Sequence, residues 1–173
     1  MVFCLCFFGP MTLTNPSHNW EEEEVENPIG CTAWVFNYLT NELTIHTTIE
    51  VGDEDDPPWY EFWIGIESAV LVEGITSIGE WTFVWCKSLV SITIPDTVET
   101  IGHGSFADCK FPSIKIPRSV VSFGGNPFVR CWQLKEIDVS ENPNFVFVDG
   151  VLMDKEMTQI IYCSPSKSGN YSI

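Results

Sequence analysis

Apolar residues recur along this chain in one phrase: an apolar residue, two positions, a second apolar residue, one position, and a third apolar residue. The phrase occurs four times, as Ile66-Ala69-Leu71, Leu89-Ile92-Ile94, Phe111-Ile114-Ile116 and Leu134-Ile137-Val139. Its first position repeats after 23, 22 and 23 residues. Residues two apart share one face of a strand, so each copy predicts one short β-strand. The near-constant period predicts a repeat solenoid, whose copies stack as rungs and bury a common core.

Further positions keep the same register and complete the repeating unit. They are Ile75, Val98 and Val120; Ile78, Ile101 and Phe123; Gly79, Gly102 and Gly124; Phe83, Phe106 and Phe128; and Cys86, Cys109 and Cys131. Pro95 and Pro117 end their strands, because proline donates no hydrogen bond to a strand ladder. The repeated glycine marks a tight bend or a positive φ. The segment from glycine to cysteine has room for only one α or 3₁₀ turn, with phenylalanine and cysteine pointing inward.

The complete unit resembles that of a known family. Its consensus in this chain, I-P-x-x-V-x-x-I-G-x-x-x-F-x-x-C, is similar to the BspA-like leucine-rich repeats. Residues 31–75 resemble the β-rich segment that precedes the first repeat in that family, and residues 144–173 resemble its hairpin insertion. The resemblance implies a β-rich solenoid of leucine-rich repeats, with short parallel strands, short helical or 3₁₀ turns and an N-terminal β-hairpin cap.

The predicted domain organisation follows from these segments. Residues 1–29 combine an apolar N-terminus with an acidic linker and are expected to be disordered. The leucine-rich-repeat domain is expected over 30–173, with a β cap at 30–65, repeats at 66–143, and a hairpin insertion and the start of a further repeat at 144–173. Because no polar terminal cap follows the repeats, we interpret the sequence as a fragment or a truncated copy with an exposed C-terminal edge.

The charge balance narrows the class of partner. The chain has 8 Lys and Arg against 24 Asp and Glu, a formal net charge of −16. Nucleic acid and anionic membrane surfaces need a basic face, so this balance argues against both. A net negative charge is expected of a protein whose copies repel one another in solution, or of one that binds a partner with a basic patch. No stretch reaches the roughly 18 apolar residues of a transmembrane helix, and Val2–Phe8 is interpreted as either the remnant of a secretory signal or an apolar tail.

The chain has seven cysteines, which raises the question of disulfides. Cys86, Cys109 and Cys131 hold one inward repeat position, where buried thiols acting as small apolar residues are favoured over disulfides between adjacent rungs. Cys31 and Cys163 lie in the two hairpin segments and have no evident mate.

Side chains suited to catalysis or metal binding form no recognisable site in the sequence. None of the three histidines, His18, His46 and His103, belongs to a zinc or catalytic motif. The run Asp53–Asp56 offers carboxylates suited to Ca²⁺, but it lacks EF-hand spacing, so a solvated acidic loop is favoured. We therefore predict no enzyme activity and no cofactor.

An aromatic cluster precedes the first repeat. It consists of Trp59, Tyr60, Phe62 and Trp63. These rings are interpreted either as a platform for a ligand or as a cover for the open apolar end of the first rung. We favour the cover.

The side chains between the inward residues of each predicted strand face solvent and stack into two columns. They are Ser68, Val70, Ser91, Thr93, Ser113, Lys115, Glu136 and Asp138. The sheet face is the usual recognition surface of leucine-rich repeats, so we predict that these residues bind a partner protein. The same pattern is expected of a sheet that is only solvated.

The resemblance implies a non-enzymatic recognition or adhesion module that is secreted or held at the cell surface. Its implied partner is a protein, such as a host extracellular-matrix protein or a component of another cell surface. The alternative is a structural spacer or accessory segment of a longer polypeptide that carries an enzyme elsewhere. Because a fold does not fix a function, the sequence alone leaves both interpretations open.

Overall fold

A computed structural model describes residues 33–48 and 57–165 and has the predicted solenoid architecture. Its rungs consist of short strands joined by turns, and the stacked rungs share one core. The strands are β1 Trp34–Asn37, β2 Glu42–Ile45, β3 Ser68–Leu71, β4 Ser77–Ile78, β5 Ser91–Thr93, β6 Thr100–Ile101, β7 Ser113–Lys115, β8 Ser122–Phe123, β9 Glu136–Asp138, β10 Phe145–Val148, β11 Val151–Asp154 and β12 Ile160–Cys163. The prediction of a β-rich solenoid preceded by a hairpin is confirmed.

The first sheet has the strand order β1-β2-β3-β5 and begins with the predicted hairpin. β1 and β2 pair antiparallel, whereas β2, β3 and β5 run parallel, as stacked copies of one unit must. Leu43 lies opposite Ala69, which in turn lies opposite Ile92. These side chains pack in the core, so the hairpin supplies the first rung of the sheet.

A second parallel sheet stacks along another side of each rung and was not predicted from the sequence. It has the order β4-β6-β8, with two residues in each strand. Ser77 pairs with Thr100, and Thr100 pairs with Ser122. The next residue in each strand is apolar and packs in or against the core. A two-residue strand is too short for alternation to be recognised in a sequence.

The first sheet does not continue through all the repeats. β5 is its last strand, and β7 and β9 form a separate parallel pair. The interruption coincides with the shorter repeat, in which Lys110 alone separates Cys109 from Phe111. In the preceding repeat two residues separate Cys86 from Leu89. At the repeat position where the amides of Val90 and Lys135 donate to the preceding rung, the intervening repeat has Pro112, which has no amide hydrogen to donate to β5.

A column of aromatic rings runs through the core. Phe83, Phe106 and Phe128 stack at centroid distances of 5.5 and 5.6 Å, with interplanar angles of 7° and 9°. Trp59 extends the stack at one end, 5.9 Å from Phe83. Tyr162 meets Phe128 edge-on at the other end, at 5.5 Å. All five rings are buried, so the column joins the N-terminal rung, the repeats and the last strand into one core.

The segment between each repeated phenylalanine and cysteine is held by hydrogen-bonded turns. The residue before each cysteine is left-handed, with φ of 63° at Trp85, 63° at Asp108 and 59° at Arg130. A left-handed residue ends a helical turn, so none of these segments extends into a helix. Among the described residues, Tyr60–Phe62 is the one 3₁₀ helix.

Close approach between rungs explains the repeated glycine. A Cβ atom at Gly102 would lie 2.7 Å from the backbone nitrogen of Glu80, and one at Gly124 would lie 2.4 Å from that of His103. Neither glycine has a positive φ. The positive-φ alternative is therefore wrong at these two positions, where glycine is needed because a side chain would strike the neighbouring backbone.

β10, β11 and β12 form an antiparallel sheet that packs on the last repeat. Phe145 meets Phe123 edge-on at 4.8 Å. The Tyr162 hydroxyl donates to the carbonyl of Leu134 at 3.3 Å. This sheet therefore covers core residues of the last repeat.

Ser105 has a buried hydroxyl, the one buried side-chain oxygen or nitrogen of the described residues that lacks a hydrogen-bond partner. Thr82 holds the same position one repeat earlier, and its Oγ1 donates to the carbonyl of Gly79 at 2.9 Å. We expect Ser105→Ala to raise the free energy of unfolding by up to about 1 kcal/mol, and Thr82→Ala to lower it by about 1 kcal/mol. Urea unfolding measures both, and equal destabilisation by the two variants would contradict the prediction.

Candidate functional site

The residues predicted to bind a partner lie on the outward side of the strands, in two columns that we call the sheet face. Their register pairs are Ser68 with Ser91, Val70 with Thr93, Ser113 with Glu136, and Lys115 with Asp138. The break between β5 and β7 divides the sheet face into two portions. The structure thus brings the predicted residues together on one surface, while their role in binding stays a prediction.

Exposure varies along the sheet face. The exposed members are Ser91, Thr93, Ser113, Lys115 and Glu136, whereas Ser68, Val70 and Asp138 are half-buried. Its most accessible part therefore runs from β5 to β9.

Two residues of the sheet face were missed in the sequence. Glu42 and Thr44 of β2 pair with Ser68 and Val70, so both columns begin one strand earlier than predicted. Ser68 Oγ also donates to Glu42 Oε2 at 3.5 Å. The alternating apolar residues of β2 were the signal for this extension, but the hairpin was interpreted as a cap and not as a rung.

Lys115 is the one cation of the sheet face, and it lies among carboxylates. Its Nζ is 2.9 Å from Glu141 Oε2, and Asp138 is its partner in the strand register. The hydrogen bond to Glu141 and the charge of that carboxylate raise the pKa of Lys115. With Glu42 and Glu136 on the same surface, the sheet face carries a net negative charge.

The aromatic cluster at residues 59–63 divides between core and surface. Trp59 is fully buried, and Phe62 stacks on Phe36 at 5.4 Å. Tyr60 and Trp63 are half-buried and stack on each other at 6.3 Å. Phe62 and Trp63 both pack against the core, so the interpretation of the cluster as a cover fits Trp59, Phe62 and Trp63, with Tyr60 stacked on the outside.

The repeated cysteines are free thiols that point into the core. Cys109 Sγ donates to the carbonyl of Phe83 at 3.2 Å, and Cys131 Sγ donates to that of Phe106 at 2.9 Å. Burial raises the pKa of both Cys86 and Cys131 to about 12. The reactive thiolate is therefore disfavoured at neutral pH.

We expect these thiols to resist alkylation in the folded protein. Iodoacetamide at pH 8 should modify the exposed Cys163 and spare Cys86, Cys109 and Cys131 until urea is added, as peptide mass spectrometry would show.

The buried thiols should also make stability depend on pH. Unfolded thiols ionise near pH 9.0 and the folded Cys86 near pH 12. The free energy of unfolding should therefore fall between those two pH values. Alkylation of Cys86 at the rate of Cys163, or a flat pH profile, would contradict this.

Several predictions fall on residues outside the described ranges. They concern residues 1–29, including His18, together with Cys31, Asp53–Asp56 and the part of the 144–173 segment beyond residue 165. Within residues 33–48 and 57–165, no three His, Cys, Asp or Glu side chains are grouped to hold a metal ion. The same two ranges contain no helix that is long and apolar enough to cross a membrane.

Comparison with known proteins identifies the repeat. A family model for the BspA type leucine rich repeat region matches residues 60–169, in six copies. The match begins after the β1–β2 hairpin and continues past the last apolar phrase, over the sheet formed by β10, β11 and β12. No curated protein is similar enough to match the chain.

Solved structures of bacterial proteins are similar to this chain. A leucine rich cell surface protein from Faecalibacterium prausnitzii is 32% identical, over 52% of this chain and 24% of its own, with a TM-score of 0.49. The pneumococcal vaccine antigen PcpA is 31% identical, over 60% of this chain and 27% of its own, with a TM-score of 0.55. A leucine-rich repeat protein from Eubacterium ventriosum is 22% identical, over 79% of this chain and 49% of its own, with a TM-score of 0.54. The chain thus spans less than half the length of each.

Proposed function

Because the chain belongs to the BspA-type leucine-rich repeat family, we propose that it is a recognition module that binds a partner protein through the sheet face. The observation that carries this proposal is the pair of outward columns, in register across β2, β3 and β5 and again across β7 and β9. Stacked repeats present such columns as an extended surface, which suits a broad protein partner. This function requires no catalytic group.

The charges of the sheet face favour a partner with a basic patch. Glu42, Glu136, Asp138 and Glu141 outnumber the cation Lys115, which is already paired with Glu141. The whole chain has a net charge of −16 and would attract such a partner from a distance. Association should therefore slow as salt is added.

We further propose that the module is secreted or displayed at a cell surface and serves in adhesion. The similarity to PcpA supports this location, since PcpA is a vaccine antigen and an antigen of that kind is reached by antibodies. The family resemblance points to the same location. A host extracellular-matrix protein or a protein on another cell is the corresponding partner.

The proposal is tested by measuring binding of the full chain to a panel of immobilised extracellular-matrix proteins by surface plasmon resonance. Thr93→Arg places a bulky cation at the β5 end of the accessible part of the sheet face, and Glu136→Lys reverses a charge at its β9 end. Each is expected to weaken binding at least about tenfold. Ser122→Arg is the matched control, because Ser122 is also an exposed strand residue but belongs to the second sheet.

Retention of full binding by both sheet-face variants would overturn the proposal. Absence of binding by the folded wild-type chain to every protein of the panel would also count against it. That result would favour the spacer or accessory segment instead.

A further inference from the structure

In three repeats an exposed residue directly follows the repeated cysteine. This position lies in a loop, and its side chain is not part of the core. The next residue is Lys87 after the first cysteine, Lys110 after the second and Trp132 after the third. We call these three residues the turn strip. They lie outside the sheet face, in the loops that lead into β5, β7 and β9.

Backbone hydrogen bonds align the three loops. The amide of Trp85 donates to the carbonyl of Ala107 at 2.9 Å, and the amide of Asp108 donates to that of Val129 at 3.0 Å. These bonds stack the residues just before the three cysteines, so the residues just after them follow the same order. With rungs about 4.8 Å apart, the turn strip extends over roughly 10 Å.

The turn strip contains features that do not serve the stability of the fold. Trp132 is 71% exposed, although an indole gains stability mainly when it is buried. Lys87 and Lys110 are exposed on adjacent rungs and form no salt bridge within the described residues. Neighbouring like charges repel each other, so this pair opposes the stacking of its rungs.

One of the two ammonium groups is held in position. Lys87 Nζ lies 5.6 Å from the ring centroid of Trp63, and Tyr60 stacks on that ring at 6.3 Å. The cation–π contact orients the ammonium without neutralising its charge. Lys87 therefore remains available to an anion and loses little conformational freedom on binding one.

The acidic character of the chain is concentrated away from the turn strip in sequence. Residues 1–86 contain 15 of the 24 Asp and Glu and none of the Lys and Arg. Residues 87–173 contain the other 9 acidic residues and all 8 basic ones, so 8 − 9 leaves a net charge of −1. Among the residues on either side of the three cysteines, the carboxylate of Asp108 is paired with Arg130, which leaves Lys87 and Lys110 as the charges without a salt bridge.

The turn strip suits a ligand that combines a flat apolar face with carboxylates. The face of an indole carries negative partial charge and attracts the C–H bonds of a sugar ring that stacks on it. An ammonium pairs with a carboxylate. The geometry points to a carbohydrate chain of carboxylated sugars, with one ring stacked on Trp132 and carboxylates of the following sugars paired with Lys110 and Lys87. This site is independent of the protein partner proposed for the sheet face.

The inference is tested by titrating the full chain with a galacturonate tetramer and with a hyaluronan tetrasaccharide. A neutral galactose tetramer serves as the uncharged comparison. Calorimetry gives the affinity, and the indole N–H signals in an NMR spectrum report the site. We expect saturable binding of a carboxylated probe that shifts the signal of Trp132 and leaves that of the fully buried Trp59 in place.

Matched variants separate the contributions of ring and charge. Trp132→Ala should weaken binding about tenfold and Trp132→Phe much less, because phenylalanine still offers a ring face. Lys110→Ser should weaken binding about fivefold, whereas Lys155→Ser, which removes an exposed lysine from the turn between β11 and β12, should have no effect. Thr93→Arg on the sheet face should also have no effect, which distinguishes this site from the proposed protein-binding one.

Three results would each overturn the inference. The first is absence of binding to both carboxylated probes. The second is equal binding of the neutral galactose tetramer, which would remove the role of the lysines. The third is an equal loss of affinity in Lys155→Ser and Lys110→Ser, which would show attraction without a defined site.

Discussion

Phe106→Ala is expected to lower the free energy of unfolding by about 3–5 kcal/mol, because it removes the middle ring of the core column. Phe106 is fully buried, with Phe83 and Phe128 stacked on its two sides and Phe111 edge-on at 5.7 Å. In a solenoid each rung is stabilised mainly by its neighbours. A cavity at this position therefore weakens two rung interfaces at once. Urea unfolding followed by circular dichroism measures the loss.

Two variants serve as controls for this prediction. Phe106→Leu keeps most of the volume and should cost only about 1–1.5 kcal/mol. Val121→Ala removes methyl groups from a side chain that is 58% exposed, and should change stability by about 0.5 kcal/mol or less. If Phe106→Ala were no more destabilising than Val121→Ala, the ring column would not be a main source of stability.

Gly124→Val is expected to cost about 3 kcal/mol or more, or to prevent folding. A Cβ at Gly124 would lie 2.4 Å from the backbone nitrogen of His103 and 2.9 Å from the carbonyl carbon of Gly102. These atoms belong to the neighbouring rung and cannot turn aside as a flexible side chain would. The amide of Gly124 also donates to the carbonyl of Ile101 at 2.7 Å, so relief of the clash would break a bond between rungs.

Gly65→Ala is the control for this substitution. A Cβ at Gly65 would meet the carbonyl oxygen of Phe62 at 3.5 Å and the ring of Phe36 at 3.6 Å, which are ordinary contacts. Its unfolding free energy should stay within about 0.5 kcal/mol of the wild type. Thermal unfolding measures the stability of both variants. A Gly124→Val protein as stable as the Gly65→Ala protein would contradict the proposed contact between rungs.

The candidate site was predictable in position but not in its surroundings. Alternation around Ile92 and Ile114 was enough to predict which side chains face outward, because that alternation is local. The salt bridge of Lys115 joins it to Glu141, 26 residues later, and no local pattern indicates such a pair. The start of the sheet face at Glu42 also depends on how the hairpin packs on β3.

The fold, like the candidate site, was predictable from the sequence only in part. The period of the apolar phrase, the strands it predicts and the inward positions of phenylalanine and cysteine could all be derived from residue order, because they depend on periodicities of 2 and of 22 or 23 residues. The second sheet, the contact that requires Gly124 and the hydrogen bond from Trp85 to Ala107 became clear only when the rungs were stacked. Each depends on the distance between residues about one period apart, which folding sets at roughly 5 Å and the linear chain does not reveal.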